Sequence, residues 1–178
     1  MSPILTTPRL TLRLPANDDA ERITLFLSDY AVASNLARVP FPYRMGDARA
    51  WLRSRRPDLP PEETNFAIEL ADEGYAGQVG FHRGDNGIII GYWLGTPFWG
   101  RGIMTEAVTA ALGWFFNTSD ADKVLSGVFV FNLASLAIQA KFGFTETGRS
   151  SVLSLARGRE VEHIDTQLTR AQWMDKHS

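Results

Sequence analysis

The segment from Gly91 to Ala107 reads GYWLGTPFWGRGIMTEA. An alternating stretch ends near Leu94, a turn follows with Gly95, Pro97, Gly100 and Gly102, and a helical pattern starts at about Gly102. Glycines let a backbone approach a ligand closely, the first N–H groups of a helix lack intrahelical partners, and the helix dipole favours negative charge there. This arrangement suits an anion, with a pyrophosphate as the natural occupant and Arg101 as a cation beside it. The same glycines could serve only a tight turn and the start of a helix. A dinucleotide fingerprint needs glycine at the position of Thr105 and an acid at the end of the next strand, which instead closes on Phe131 and Asn132. A Walker A loop is absent.

A second segment, VFVFNLASLAIQAKFGFTETG from Val128 to Gly148, hands a strand over to a helix at Asn132. Asn132 suits an N-cap with Ser135 in the first turn, and Gly143 suits a left-handed helix stop. The chain has no cysteine, which removes disulfides, thiolate metal sites and a cysteine nucleophile. His82, His163 and His177 are far apart in sequence, a thin supply for a catalytic metal. Candidate bases are Glu69 and His82, on neighbouring strands that could face an acceptor cleft. Each could equally be a strand-surface residue. Glu106, in the first turn after the glycines, could simply complement the helix dipole. Alternation divides Tyr92 and Trp93 between cleft and core.

The elements that must position these residues follow from periodicity. Leu10, Leu12 and Leu14 alternate with polar residues in a half-buried strand over 9–14. A helix capped by Asn17 should run to about Ser28, and a second over 47–55. Residues 31–45 read as irregular and 57–63 as a proline-rich loop. Strands are expected over 65–71, 75–83 and 87–94, with Asn86-Gly87 as a hairpin turn between the last two. A helix over 102–117, a strand over 123–131, a helix over 133–142 and strands over 144–154 and 160–169 complete the order. Antiparallel strands meeting a βαβ crossover make an α/β (α+β) chain with a mixed sheet. Its 178 residues read as one domain, 1–178, without repeats or linker.

A net charge of −2 gives no pull toward nucleic acid or an anionic membrane. No stretch reaches the roughly 18 apolar residues of a membrane span, and the N-terminus lacks the pattern of a signal peptide. A cytoplasmic location is the expectation.

The two segments together resemble the GCN5-related acetyltransferase family, in particular its RimJ/RimL-like branch of ribosomal-protein N-terminal acetyltransferases. The first matches that branch's Gly-Tyr-Trp-Leu, Trp-Gly-basic-Gly and Thr-Glu-Ala. The second matches Asn-x-x-Ser-x-x-aliphatic-x-x-Lys-x-Gly-Phe. The opening Thr7 to Arg13 and the ending Leu168 to Arg170 with Trp173 resemble the branch's first and last strands, so the similarity spans nearly the whole chain.

The resemblance implies the GNAT fold, a mostly antiparallel sheet with splayed central strands and flanking helices, and transfer of an acetyl group from acetyl-coenzyme A to a primary amine by direct attack in a ternary complex. Backbone N–H groups from Gly100 through Arg101, Gly102, Ile103 and Met104 to Thr105 would hold the pyrophosphate. Trp99 and Met104 depart from the wider family's loop residues. The strand carrying Trp93 and Leu94 would part from the strand over 123–131 to admit the pantetheine arm. A backbone N–H near Leu94 would polarise the thioester carbonyl. Asn132 matches a pantetheine contact and Ser135 a residue near the cofactor sulfur. The position of the acid tyrosine of many relatives holds Gln139. Phe41, Pro42, Tyr43 and the 57–61 loop would border the acceptor cleft. Acceptors in the family are peptide N-termini and small amines, and homodimers are common. No metal is implied. A degenerate member that only senses or binds acyl-coenzyme A is the alternative.

Overall fold

The computed structural model describes residues 3–177. Eight strands form one sheet in the order β1-β2-β3-β4-β5-β6-β8-β7 among the described residues. They are β1 Leu5–Thr6, β2 Leu10–Arg13, β3 Asn65–Leu70, β4 Gly74–Gly84, β5 Gly87–Leu94, β6 Lys123–Phe129, β7 Thr145–Ser154 and β8 Arg159–Thr169. The helices are α1 Ala20–Leu27, α2 Tyr30–Ala33, α3 Met45–Arg53, α4 Ile103–Thr118, α5 Leu133–Phe142 and α6 Arg170–His177. Every neighbouring pair is antiparallel except β5 and β6. The mixed sheet expected from the sequence is therefore present. No described helix is long and apolar enough to cross a membrane.

Leu10 and Leu12 are buried while Thr11 and Arg13 are not, as the alternation of β2 requires. The Asn86-Gly87 turn closes the β4–β5 hairpin, with Gly84 paired to Gly87. The expectation for Asn17 fails. A short 3-10 turn over Asn17–Asp19 precedes α1, and it is the Asp19 carboxylate that accepts the Ala16 N–H, at 2.8 Å. Arg13 forks onto both oxygens of Asp19, which fixes that carboxylate at the turn. α2 falls in the stretch read as irregular, and Asp29 caps it through the Ala31 N–H. β1 and α6 are further elements that periodicity did not reveal. Two residues carry no period, and α6 buries only Trp173.

α4 covers one face of the sheet. Its buried residues Ile103, Met104, Ala107, Val108, Ala111, Leu112, Phe115 and Phe116 form a continuous stripe. Phe115 stacks on Phe81 of β4 at 4.2 Å, and Trp114 meets Phe66 of β3 edge-on at 5.1 Å. The fully buried Phe66, Phe81 and Phe115 each contribute about 1.5–3 kcal/mol. That packing anchors α4 and so holds the glycine turn before it in place.

A parallel neighbour needs a crossover, and α4 supplies it between β5 and β6. These strands share one registered pair, Ile89 with Leu125, whereas β4–β5 and β6–β8 pair along their lengths. Beyond Ile89 the two strands part.

Candidate active site

A groove of about 1290 Å³ runs between the parted ends of β5 and β6. Gly95 N–H bonds the Ala76 carbonyl, which marks the odd-numbered peptides at this end of β5 as facing β4. The Ile90 carbonyl faces β6, where Ser126 Oγ donates to it at 3.1 Å. The period of two therefore turns the peptide groups of Tyr92 and Leu94 into the gap, beyond the last registered β6 partner. The Leu94 carbonyl takes the indole N–H of Trp99 at 2.9 Å. This bond ties the glycine turn to the strand end.

Gly100 and Gly102 both have positive φ, 69° and 73°. Gly102 is the N-cap of α4 and offers no side chain, so the first-turn N–H groups of Ile103, Met104 and Thr105 receive no side-chain cap. Gly100, Gly102, Ile103, Met104 and Thr105 all line the groove. An open row of donors at a helix N-terminus is an anion cradle.

Glu106 braces this turn. Its carboxylate accepts Thr7 Oγ1 at 2.5 Å, Arg9 N–H at 2.9 Å and Arg9 Nε at 2.6 Å, while Arg9 Nη1 donates to the Arg101 carbonyl at 2.8 Å. Burial raises the Glu106 pKa, but the bonds from Thr7 and Arg9 outweigh it and leave the group below the usual carboxylate range. Glu106 thus holds the β1–β2 turn against the start of α4. Glu106→Gln is expected to lower stability by about 1–2 kcal/mol, read as a shifted urea midpoint, because the charged bonds weaken and one side-chain partner is lost.

Arg101 departs from its expected place. Its guanidinium bonds both oxygens of Glu73, at 2.6 and 3.0 Å, and does not line the groove. The nearby carboxylate draws the side chain away from the anion cradle. Glu69 also departs. It sits on β3, separated from the gap by β4, and Arg13 Nε holds its carboxylate at 2.5 Å. The candidate acceptor loops at 41–43 and 57–61 lie off the groove. Segment 32–39 and Trp51 of α3 line it instead. Arg157 Nε bonds the Ser34 carbonyl and Leu155 N–H bonds that of Ala37, so the β7–β8 turn is pinned against this segment.

On the α5 side, Asn132 caps the helix by accepting the Ser135 N–H at 3.2 Å. Ser135 Oγ is 2.9 Å from the Tyr92 hydroxyl. Burial raises the Tyr92 pKa, and the Ser135 and Gln139 hydrogen bonds oppose that rise. Gln139 is committed at both ends. Its Nε2 donates to Ser126 Oγ at 3.0 Å and its Oε1 accepts Thr166 Oγ1 at 2.7 Å. Alternation alone could not bring Tyr92 to Ser135, because the partners lie on different elements. The GYWL stretch was the available signal.

His82 lines the groove from β4. Burial, helped by the charges of Arg38 and Arg55, lowers its pKa. The folded chain therefore binds fewer protons at His82 than the unfolded chain just below neutrality. Acidification through the ordinary imidazole range then costs stability, and the cost stops growing once the pH is below the lowered pKa. His82→Gln is expected to flatten the fall in thermal midpoint between about pH 7 and pH 5.

The family description of the acetyltransferase (GNAT) domain fits residues 9–145, a span that includes the glycine turn and the parted strands β5 and β6. The chain belongs to the GNAT family. An uncharacterized N-acetyltransferase of the SPbeta prophage in Bacillus subtilis (strain 168), YokL, is 27% identical over 177 residues, 97% of this chain and 96% of its own length. The ribosomal protein uS5-alanine N-acetyltransferase of Escherichia coli (strain K12) is 30% identical over 84 residues, 47% of this chain and 43% of its own. Among solved structures, the spermidine N-acetyltransferase of Vibrio cholerae in complex with CoA and spermine has a TM-score of 0.78 and 18% identity, and covers 94% of this chain and 99% of its own. That last likeness is one of fold. As a GNAT member with RimJ-like relatives, the chain is an acetyl-coenzyme A-dependent N-acetyltransferase.

Proposed function

We propose that the chain acetylates a primary amine, either a peptide N-terminus or a small-molecule amine, and that residues 1–178 act as one domain. The carrying observation is the continuity of the groove. The donors of Gly100–Thr105 and the exposed peptide edge of β5 border one channel. These residues fit coenzyme A, because an uncapped helix start suits its pyrophosphate and an unpaired strand edge suits its amide-bearing arm.

When bound, acetyl-coenzyme A supplies an activated acetyl group. In this reading the amides of Gly100, Arg101, Gly102, Ile103, Met104 and Thr105 hold the pyrophosphate, with Trp99 steadying the turn. Trp93 walls the arm, and Asn132 offers it the amide N–H₂ that capping leaves over. The N–H of Tyr92 or Leu94 polarises the carbonyl. Ser135, backed by Tyr92, bonds the departing sulfur. The absence of cysteine supports direct attack over a thiol-bound route.

The test is release of coenzyme A thiol from acetyl-coenzyme A across an amine panel that includes polyamines and peptides with free N-termini. Turnover of any member supports the reading. Tight binding of acetyl-coenzyme A without turnover on any amine would favour the sensor alternative instead.

A further inference from the structure

We infer that His163, oriented by Asp165, is the general base that takes the proton from the acceptor amine. The assignment rests on the acetyl-transfer reading above and adds a catalytic residue to it.

β6 and β8 are in register so that Phe129 opposes His163 and Gly127 opposes Asp165. Directly paired residues share a face of the sheet. Through Ile89 and Leu125, that face is also the face of Gly91 and Trp93 on β5. It lies opposite Tyr92, Ser135 and Gln139. His163 and Asp165 both line the groove. The hydroxyl pair and the imidazole therefore approach the gap from opposite sides of the sheet.

The imidazole occupies space that only a glycine leaves open. A Cβ built on Gly127 would stand 2.0 Å from His163 Cε1 and 2.7 Å from Nε2. The ring thus lies over the β6 backbone beside the gap, with Phe129 edge-on to it at 5.9 Å. Nδ1 is 2.8 Å from Asp165 Oδ1, and Ser150 Oγ donates to the same oxygen at 2.9 Å. A carboxylate oxygen accepts, so in the neutral ring this contact places the hydrogen on Nδ1 and leaves Nε2 as the acceptor. No described residue hydrogen-bonds Nε2. The His163 side chain keeps 21% of its surface exposed, enough for contact with a ligand.

The groups nearest the ring do not compete for its proton. β7 presents Ser150, β6 Gly127 and Phe129, and β5 Gly91 and Trp93. The other charged or titratable side chains lining the groove in reach of solvent are His82 and Arg38 on the acceptor side, with Arg83, Asp85, Lys123 and Lys141. A cationic amine entering on this face meets Asp165 as its nearest carboxylate and Nε2 as its proton acceptor.

Nε2 takes one proton from the ammonium, and the freed lone pair forms the C–N bond to the acetyl carbon as the C–S bond breaks. The electron pair stays on sulfur, which takes a proton through the Ser135–Tyr92 pair. The second proton of the amine nitrogen restores that pair, and the imidazolium passes its proton to solvent.

The test compares the native chain with His163→Gln and Asp165→Asn on the fastest amine of the panel. His163→Gln is expected to lower kcat/KM by about 30-fold near neutral pH and to abolish its rise with pH. A water-mediated route to an amine that is already partly neutral keeps the loss at the low end. Coenzyme A affinity, measured by calorimetry, stays unchanged. Asp165→Asn lowers kcat by a smaller factor. In ¹⁵N NMR of the unliganded protein, it shifts His163 from the Nδ1–H tautomer toward Nε2–H. The double variant is no worse than His163→Gln. An unchanged pH–rate profile in His163→Gln overturns the assignment and leaves the acetyl-transfer reading standing. So does an Nε2–H tautomer in the native protein, or loss of coenzyme A binding in His163→Gln, which would mark a structural role. Absence of turnover by the native chain removes both.

Discussion

Gly102→Val is expected to lower kcat/KM for acetyl-coenzyme A by about 10²–10³-fold while the chain stays folded. Gly102 has φ 73° and ψ 5° and is the residue from which α4 starts. A Cβ there would have room, with Arg9 Nη2 its nearest neighbour at 3.5 Å. The penalty therefore lies in the backbone. A β-branched residue must either hold the left-handed conformation, at about 1–2 kcal/mol, or turn the 101–103 peptides to negative φ. Turning them redirects donors of the anion cradle. Two lost bonds to a charged group, at about 1.5–3 kcal/mol each, account for the predicted factor. Calorimetry should show coenzyme A affinity falling in parallel, with circular dichroism unchanged. Gly102→Ala should fall between the two. Native affinity in the valine variant would mean that the pyrophosphate is held elsewhere.

Ser135→Ala is expected to reduce kcat by about 100-fold with little change in KM, and Tyr92→Phe by a similar factor. The two hydroxyls are 2.9 Å apart and join β5 to α5 across the groove. Tyr92→Phe preserves the ring and removes only the oxygen, so loss of packing is not the cause. Burial raises the phenol pKa, and an alkyl hydroxyl is weaker still as an acid. Neither group gives up its proton outright. In the proposed mechanism they work as a pair, one bonding the sulfur as its charge grows while the other replenishes it. Removing either breaks the relay, so the double variant should be about as slow as the worse single one. Additive losses would show that the hydroxyls act independently. Gln139→Tyr would test the position that the family resemblance assigns to a tyrosine, but it would also take the acceptor from the Thr166 hydroxyl, whereas Ser126 Oγ keeps the Ile90 carbonyl.

Locally encoded features were legible. The glycines of the α4 turn, the Asn132 cap, the Gly143 stop and the Asn86-Gly87 hairpin all appear where the sequence puts them. Each depends on φ, on a nearby hydrogen bond or on a two-residue turn. Arg101 and Glu69 were misplaced for the opposite reason. Their side chains are long enough to choose among partners, and the partners, Glu73 and Arg13, are distant in sequence. The acceptor border was misplaced because a proline-rich loop signals a break in structure and says nothing about which cleft it meets.

By itself, the sequence determined the kinds of element, the glycine turn between β5 and α4 and the lack of thiol chemistry. Backbone propensity and composition act within a few residues and need no knowledge of the fold. Tertiary structure alone decided which side chains meet. The parallel crossover opens the gap, the β6–β8 register sets His163 over Gly127, and the packing of α5 brings Ser135 to Tyr92. Those contacts join residues 36 to 43 positions apart. Only the packing of whole elements, driven by burial of their apolar faces, fixes distances across such separations.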